Sequence, residues 1–366
     1  MFPLRRPRQN TELPNLGASF VSNLRVARRL SSGVPARCRG RALREVAIAF
    51  AVAAIATAGS SAVAETSTDL QRKTIETQSV PSPARYAVLL PPSYAGGTKR
   101  YPLLLWLHGG SGDHDFLATQ VGLFESVWQA QLAPEVVVAT PDADRSFYLD
   151  YRDGSQRWEQ FIVDELVPAL ARDYRVDPKE LYVGGVSMGG MGALRLAFKH
   201  PDRFRVVIAF EPGIEPALQW RDVQERDKFW RDDALLVARF GTKAGGMDEG
   251  YWAANNPATI ADTDPKRLID ARLAIYIDVG SEDLFGLDRG ANFLHDVLYR
   301  HGIQHEFRYV LGADHVGRSL APRFRDGLEF LGRVTQPPVR DPLVDATRAM
   351  IGRMKARAGV ADEPAP

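Results

Sequence analysis

Thiols are all but missing from this chain, whose 366 residues include a single cysteine, Cys38. That residue lies in a basic N-terminal stretch read below as a leader. A chain processed beyond it keeps no thiol, which excludes disulfides, a cysteine nucleophile and thiolate metal sites together. An excess of either charge is also missing: 46 basic residues face 45 acidic ones, for a net charge of +1. The first 45 positions are strongly basic and nearly free of acids, so the remainder is mildly acidic and unsuited to phosphate backbones; no nucleic-acid partner is expected. No His-Glu-x-x-His pattern occurs, and no metal or organic cofactor is implied. Long apolar runs are absent as well, the nearest being Val46 to Ala58, which is short of a membrane span.

What the chain does have is enough apolar material, 45%, beside 25% charged residues, to bury a large core. Residues 1–64 read as a leader: Arg37, Arg39, Arg41 and Arg44 precede the alanine-rich run, and Ala62-Val63-Ala64 has the small-x-small form of a signal-peptidase site. Cleavage before Glu65 is expected, with export to the periplasm or the medium and no stable membrane insertion afterwards. The stretch ahead of the apolar run is long for a leader, so either translation starts downstream of Met1 or Arg28-Arg29 belongs to a twin-arginine signal. No lipid-accepting cysteine follows the run.

Beyond the leader, strands and helices alternate. Lys73 to Gln78 and Arg85 to Leu90 read as two strands joined at Pro81-Ser82-Pro83. Tyr101 to Leu107, Val136 to Thr140, Leu181 to Val183, Phe204 to Phe210, Leu273 to Asp278 and Glu306 to Val310 follow as strands, several of them almost wholly apolar. Helices are expected at Trp158 to Tyr174, directly after position 187, at Asn292 to His301 and at Arg323 to Leu331. The order predicts an α/β domain over residues 65–336, with a mostly parallel central sheet and helices on both faces. Residues 211–272 break the rhythm and predict an insertion of short helices over the C-terminal edge of the sheet, where ligands bind in open α/β folds. For its aromatics Trp220, Phe229, Trp230, Phe240, Tyr251 and Trp252, a substrate-facing role for some and simple packing within the insertion are left as open alternatives. Residues 337–366 form a tail with a helix that carries Leu343, Ala346, Met350 and Met354 on one side; it docks or frays, and no function is assigned to it.

The chemistry concentrates at Gly185-Val186-Ser187-Met188-Gly189, where an apolar strand turns sharply into a helix. Glycines two before and two after a serine let strand and helix approach, which lifts the hydroxyl into the open; this is a nucleophile elbow. Such a serine needs a base held by a carboxylate. His315 stands in the loop after the last strand, whereas His200, His295, His301 and His305 fall at helix or strand positions that favour surface roles. The acid is Asp283, in the loop after the preceding strand, with Glu282 and Asp278 as rivals. The backbone N–H groups of Met188 and Gly110 are the candidate oxyanion donors, and His108 is read as shaping its loop. Asp142-x-Asp144 is read as loop structure near the pocket.

Taken together, Leu107-His108-Gly109-Gly110, Pro141-Asp142-Ala143-Asp144-Arg145-Ser146-Phe147-Tyr148, Arg157-Trp158-Glu159, Gly185-Val186-Ser187-Met188-Gly189-Gly190, Trp252-Ala253-Ala254-Asn255-Asn256-Pro257, Gly280-Ser281-Glu282-Asp283 and Asp314-His315 resemble the esterase D family of α/β hydrolases. The resemblance runs over about residues 70–335. That family includes feruloyl and acetylxylan esterases, S-formylglutathione hydrolase, siderophore esterases and mycobacterial mycolyltransferases. It implies Ser187 as nucleophile, Asp283 as acid and His315 as base. Two departures stand out: a longer insertion from about Glu215 to Phe240, and the absence of cysteine after the leader. The expected function is an exported serine esterase acting on a small-molecule or polysaccharide-linked ester. The alternatives are an acyltransferase of the mycolyltransferase type and a non-catalytic binding protein on the same fold. The expected leader argues against an intracellular glutathione thioester as substrate. Oligomeric state is left open.

Overall fold

A computed structural model describes residues 68–360 apart from 229–232 and 243–244. The leader expectation, Cys38, Phe229 and Trp230 therefore lie outside the described residues. Eight strands form one sheet in the order β1-β2-β4-β3-β5-β6-β7-β8. They are β1 (Asp69–Ile75), β2 (Ala84–Leu90), β3 (Tyr101–Leu107), β4 (Val137–Pro141), β5 (Val176–Val186), β6 (Phe204–Phe210), β7 (Ala274–Gly280) and β8 (Glu306–Val310). Only β2 runs against its neighbours, pairing antiparallel with both β1 and β4. All other pairings are parallel. The chain reaches β4 on one side of β3 and then crosses to β5 on the other, which makes the C-terminal ends of β3 and β5 a topological switch point.

The central strands are apolar throughout because both of their faces are covered. On one face α1 (Phe116–Gln129) and α10 (Leu320–Thr335) pack over Trp106, Phe210 and Tyr276. Here Trp106 meets Phe124, Phe210 and Phe324 edge to face, with centroids 5.6, 5.9 and 5.7 Å away. The sequence reading assigns no element to α1, although Leu117, Phe124, Val127 and Trp128 bury one side of it.

The opposite face carries one long helix made of α2 (Trp158–Gln160), a π-helical turn (Phe161–Leu166) and α3 (Val167–Asp173), together with α4 (Met188–Lys199). The widened turn ends just before Pro168, which has no N–H to continue an α-helical ladder. Helix α4 is buried from Met188 to Phe198.

The insertion does consist of short helices: α5 (Asp233–Phe240), α6 (Glu249–Asn255), α7 (Pro257–Thr263) and α8 (Pro265–Ala271). Its aromatics mostly pack on one another. Trp252 and Phe240 are fully buried. Trp220 lies edge-on to Trp252 at 5.5 Å, and Phe240 lies 6.4 Å from Tyr251. Of the two alternatives, Trp252 and Phe240 take the packing role, in a closed cluster that holds them away from solvent. After α9 (Leu287–Arg300) and α10, the tail forms α11 (Pro342–Arg357), capped by Asp341 accepting from the Leu343 N–H at 2.8 Å. Leu343, Met350 and Met354 are exposed, so among the described residues the helix forms without docking. No helix among the described residues is long and apolar enough to cross a membrane.

Because Trp106 joins α1, α10 and the sheet, Trp106→Ala is expected to cost about 3–5 kcal/mol in urea unfolding. A loss below about 1 kcal/mol would mean that this cluster is not what couples the helices to the sheet.

Candidate active site

Five strand ends on one edge of the sheet deliver the polar residues of interest: β3 leads to His108–Gly110, β5 to Ser187, β6 to Glu211, β7 to Asp283 and β8 to His315. Ser187 sits between β5 and α4 at φ 57° and ψ −117°, a region a residue with a Cβ rarely enters. Its backbone is held from three sides. The Ser187 N–H donates to Phe210 O at 2.8 Å, while its carbonyl accepts from Met191 and Gly213 at 3.0 and 3.1 Å. The flanking glycines are required by contact: a Cβ on Gly185 would lie 2.6 Å from Gly189 backbone, and one on Gly189 would lie 2.2 Å from Leu107 O.

The structure brings Ser187, His315 and Asp283 together. His315 Nε2 is 3.1 Å from Ser187 Oγ, and His315 Nδ1 is 2.8 Å from Asp283 Oδ2. A carboxylate can only accept, so Nδ1 carries the imidazole proton and Nε2 presents its lone pair to the serine hydroxyl. Asp283 Oδ1 accepts from the N–H groups of Phe285 and Leu287 at 2.8 and 3.3 Å. Burial alone would push the Asp283 carboxyl up. The hydrogen bond and charge of His315, with a further hydrogen bond from the Leu287 N–H, outweigh it and hold Asp283 below the usual carboxylate range. Phe285 packs edge-on against the His315 ring at 4.7 Å. The two rival acids are placed elsewhere: Glu282 is exposed, and Asp278 lies within β7 against Arg323.

The loop after β3 is organised by His108, which is fully buried. Its Nε2 accepts the Ala143 N–H at 3.1 Å, so Nδ1 bears the proton and donates to Gly109 O at 2.8 Å. Burial pushes His108 below the ordinary histidine value, which keeps this neutral tautomer in place. Since the peptide unit is planar and trans, fixing the Gly109 carbonyl also fixes the N–H of Gly110 on the opposite side of that unit. Tyr148 Oη donates to His108 O at 2.9 Å and steadies the strand end. A Cβ on Gly109 would be 3.6 Å from Ser187 Cβ, and one on Gly110 would be 4.0 Å from Met188 Cβ, so this loop lies beside the elbow. Asp142 is engaged by Arg85 at 2.6 Å, with His114 at 3.5 Å, in keeping with a loop-building role.

Sequence reasoning missed a buried ionic group directly behind Asp283. Glu211 and Asp278 are fully buried, and Arg323 is 3% exposed. The Arg323 guanidinium pairs with both carboxyls. The only signal in the sequence is a lone glutamate closing the apolar strand Phe204–Phe210, and an arginine amid the apolar side of α10. Donor atoms of Glu211, Asp283 and His315 lie within 4.8 Å of one another. The His315–Asp283 hydrogen bond and the pairing of Glu211 with the Arg323 cation draw these groups together.

Comparison with known proteins places this geometry in context. The model of a family described as "Putative esterase" matches residues 77–316. S-formylglutathione hydrolase of Bos taurus is 27% identical over 226 residues, 55% of this chain and 70% of that protein. Diacylglycerol acyltransferase/mycolyltransferase Ag85A of Mycobacterium bovis is 25% identical over 258 residues, 66% of this chain and 72% of that protein. Among solved structures, a ferulic acid esterase superposes with a TM-score of 0.59 at 22% identity, covering 73% of this chain and 98% of that one. An S-formylglutathione hydrolase from Agrobacterium tumefaciens gives 0.60 at 20% identity, covering 74% and 96%. At those identities the solved structures speak to the fold alone.

The His108 geometry predicts that His108→Leu slows phosphonylation of Ser187 by a fluorophosphonate about 10²–10³-fold, the usual effect of losing one oxyanion donor. His108→Asn, which keeps a short donor, is expected to lose less. Equal rates in His108→Leu and the parent protein would show that the histidine does not aim the loop.

Proposed function

From its membership of the esterase family, which makes the chain a serine esterase of α/β-hydrolase fold, we propose that it hydrolyses a carboxylic ester through Ser187, His315 and Asp283. What carries the reading is the unbroken hydrogen-bond chain from Ser187 Oγ through His315 to Asp283. Ser187 Oγ attacks the ester carbonyl carbon as its proton passes to His315 Nε2. The N–H groups of Met188 and Gly110 receive the resulting oxyanion, and the Asp283 carboxylate stabilises the imidazolium. Collapse breaks the bond to the alcohol oxygen, which takes the proton from His315 and leaves an acyl-serine. Water then attacks with its proton going to His315, the carboxylic acid departs, and Ser187 regains its hydrogen.

A second reading keeps the same residues but lets an alcohol, rather than water, take the acyl group. It is favoured by the similarity to the mycobacterial acyltransferase. The non-catalytic alternative falls with family membership. Export remains part of the proposal, on the strength of the basic and apolar N-terminal stretch ending at Ala62-Val63-Ala64. N-terminal sequencing of the exported protein should begin at Glu65, and a retained leader would count against processing there.

The deciding assay sets short and long p-nitrophenyl esters, a feruloyl ester and S-formylglutathione before the protein and its Ser187→Ala variant, with and without glycerol or sugar acceptors. Turnover is expected to fall about 10⁵–10⁶-fold in the variant. Acyl transfer exceeding hydrolysis would favour the second reading. Asp283→Asn is expected to lose about 10⁴-fold in kcat, since the imidazole then loses its orienting carboxylate. Glu282→Gln, on an exposed side chain, should stay within about twofold; similar losses in both would sink the choice of acid.

A further inference from the structure

Three carboxyl groups converge behind His315 with a single permanent cation among them. Glu211 closes β6 at φ 45°, a strained value that turns its side chain inward from the end of the strand. Its oxygens accept the Gly280 N–H at 3.2 and 3.3 Å and pair with Arg323 from α10. One of its oxygens also lies within 4.8 Å of a carboxyl oxygen of Asp283, in the loop after β7. Asp278 of β7 takes Arg323 Nε at 2.5 Å and pairs with Nη2 of the same group. His315, from the loop after β8, completes the set. Farther out, Arg308 and Asp326 act on Asp278.

Two buried carboxyl groups this close repel one another unless one of them carries a proton. Its location follows from the acceptors at hand. Burial pushes Asp278 up, but it takes two guanidinium nitrogens of Arg323 on one oxygen, which favours its anion. Asp283 is held as the anion by His315 and two backbone N–H groups. Glu211 is left, and an O–H there has Asp283 to receive it. We propose that Glu211 is a positioning residue of the triad: a neutral carboxylic acid that donates its O–H to Asp283 and holds that carboxylate in line with His315.

Resting on the serine-esterase reading for its catalytic meaning, this arrangement does two things. It gives Asp283 a partner besides His315 and the loop N–H groups. It also draws electron density from Asp283, so that His315 is not turned into a resting imidazolium before Ser187 gives up its proton. The electrostatics agree: burial pushes the Glu211 carboxyl up to about 8, with Asp283 adding to the effect and Arg323 opposing it. The sign of the stability effect follows. A carboxyl whose folded value exceeds its unfolded one contributes stability that is complete below the ordinary carboxylate range. That contribution is lost as pH rises toward about 8.

The test is carbon NMR on protein labelled with ¹³C at the glutamate side-chain carboxyl. One glutamate signal is expected to titrate near pH 8, apart from all others, and to vanish in Glu211→Gln. Titration of every glutamate below about pH 6 would overturn the proposal without reference to any activity. For the catalytic consequence, Glu211→Gln keeps an N–H donor toward Asp283, so the acid limb of kcat/KM should stay within about 0.3 units of the parent. Glu211→Ala removes the donor; kcat should fall about tenfold or more with KM little changed, and the acid limb should move up by about half to one unit. Identical profiles in all three proteins would overturn the positioning role. If no ester is turned over but the separate titration is present, the hydrolase reading fails while the shared proton stands.

Discussion

The site depends on a close approach of three backbones. Gly185 at the end of β5, Gly189 in the first turn of α4, and Leu107 and His108 at the end of β3 lie so near one another that a methyl group at either glycine would overlap carbonyl atoms. This contact holds the strand ends and the helix start at one point, and Ser187 is lifted out at their apex. Its unfavourable φ is tolerated because three backbone hydrogen bonds and a buried α4 hold the turn closed. The same approach brings Gly109 and Gly110 alongside Ser187 and Met188. The proposed nucleophile and the N–H groups proposed to receive the oxyanion are therefore set by one packing event.

Around that point the fold places buried charge, and it does so in matched groups. On the inner side of α4, Arg195 is fully buried and donates to Glu159, to Asn255 and to Tyr148 O, while Lys199 and His200 also reach Glu159. Burial would push Glu159 up, but Arg195, His200 and Lys199 outweigh it and hold this carboxyl far below the ordinary range. The network ties α2, α4, the loop after β4 and α6 of the insertion into one body. Replacing such a network with apolar groups need not weaken a protein; what it secures is a single arrangement of parts. Here those parts include Tyr148, whose hydroxyl fixes the carbonyl of His108. Charge buried well away from the serine thus bears on the loop that faces it.

How much of this was legible in the sequence follows the range of each interaction. The limits of β3 and β6 are legible because an almost continuous apolar run is a local signal, and those of β8 because Glu306-Phe307-Arg308-Tyr309-Val310 alternates charged and apolar residues. Ser187 and His315 were legible for a similar reason, each standing at a strand end in a short, glycine-containing turn. Asp283 could be preferred to Glu282 and Asp278 only by position; the structure separates them by placing one on His315, one in solvent and one on Arg323. The pairing of Arg323 with Glu211 and Asp278 was not legible, since these residues are brought together only by the neighbouring positions of β6, β7 and α10. The π-helical turn before Pro168 lies between these cases, visible in outline as a helix but not in its widened ladder. The aromatics of the insertion show the same limit. Their number was plain, yet whether Trp252 faced a ligand or Trp220 depended on contacts between α6 and the turn at Trp220–Asp222.

Backbone strain gives the last connection. Seven non-glycine residues among those described have positive φ: Gln131, Asp144, Phe147, Tyr148, Ser187, Glu211 and Arg272. Five of them stand in the segments leaving β4, β5 and β6 at the one edge where His315 and Asp283 also converge. Random irregularity would scatter such residues over all the loops. Their concentration implies that the core is used to hold this edge in conformations the local sequence does not favour. Tyr148 illustrates how: its φ is 56°, yet its ring lies against Gly192 of α4 and its hydroxyl is bonded to His108. Glu211 is the parallel case on the other side of Ser187, held at φ 45° by Gly280 and Arg323. Tyr148 thereby links the segment after β4 to the end of β3, and Glu211 links the end of β6 to β7 and α10. The rigid sheet and the strained edge are therefore two aspects of one design, in which buried contacts hold reactive groups in positions that a relaxed loop would abandon.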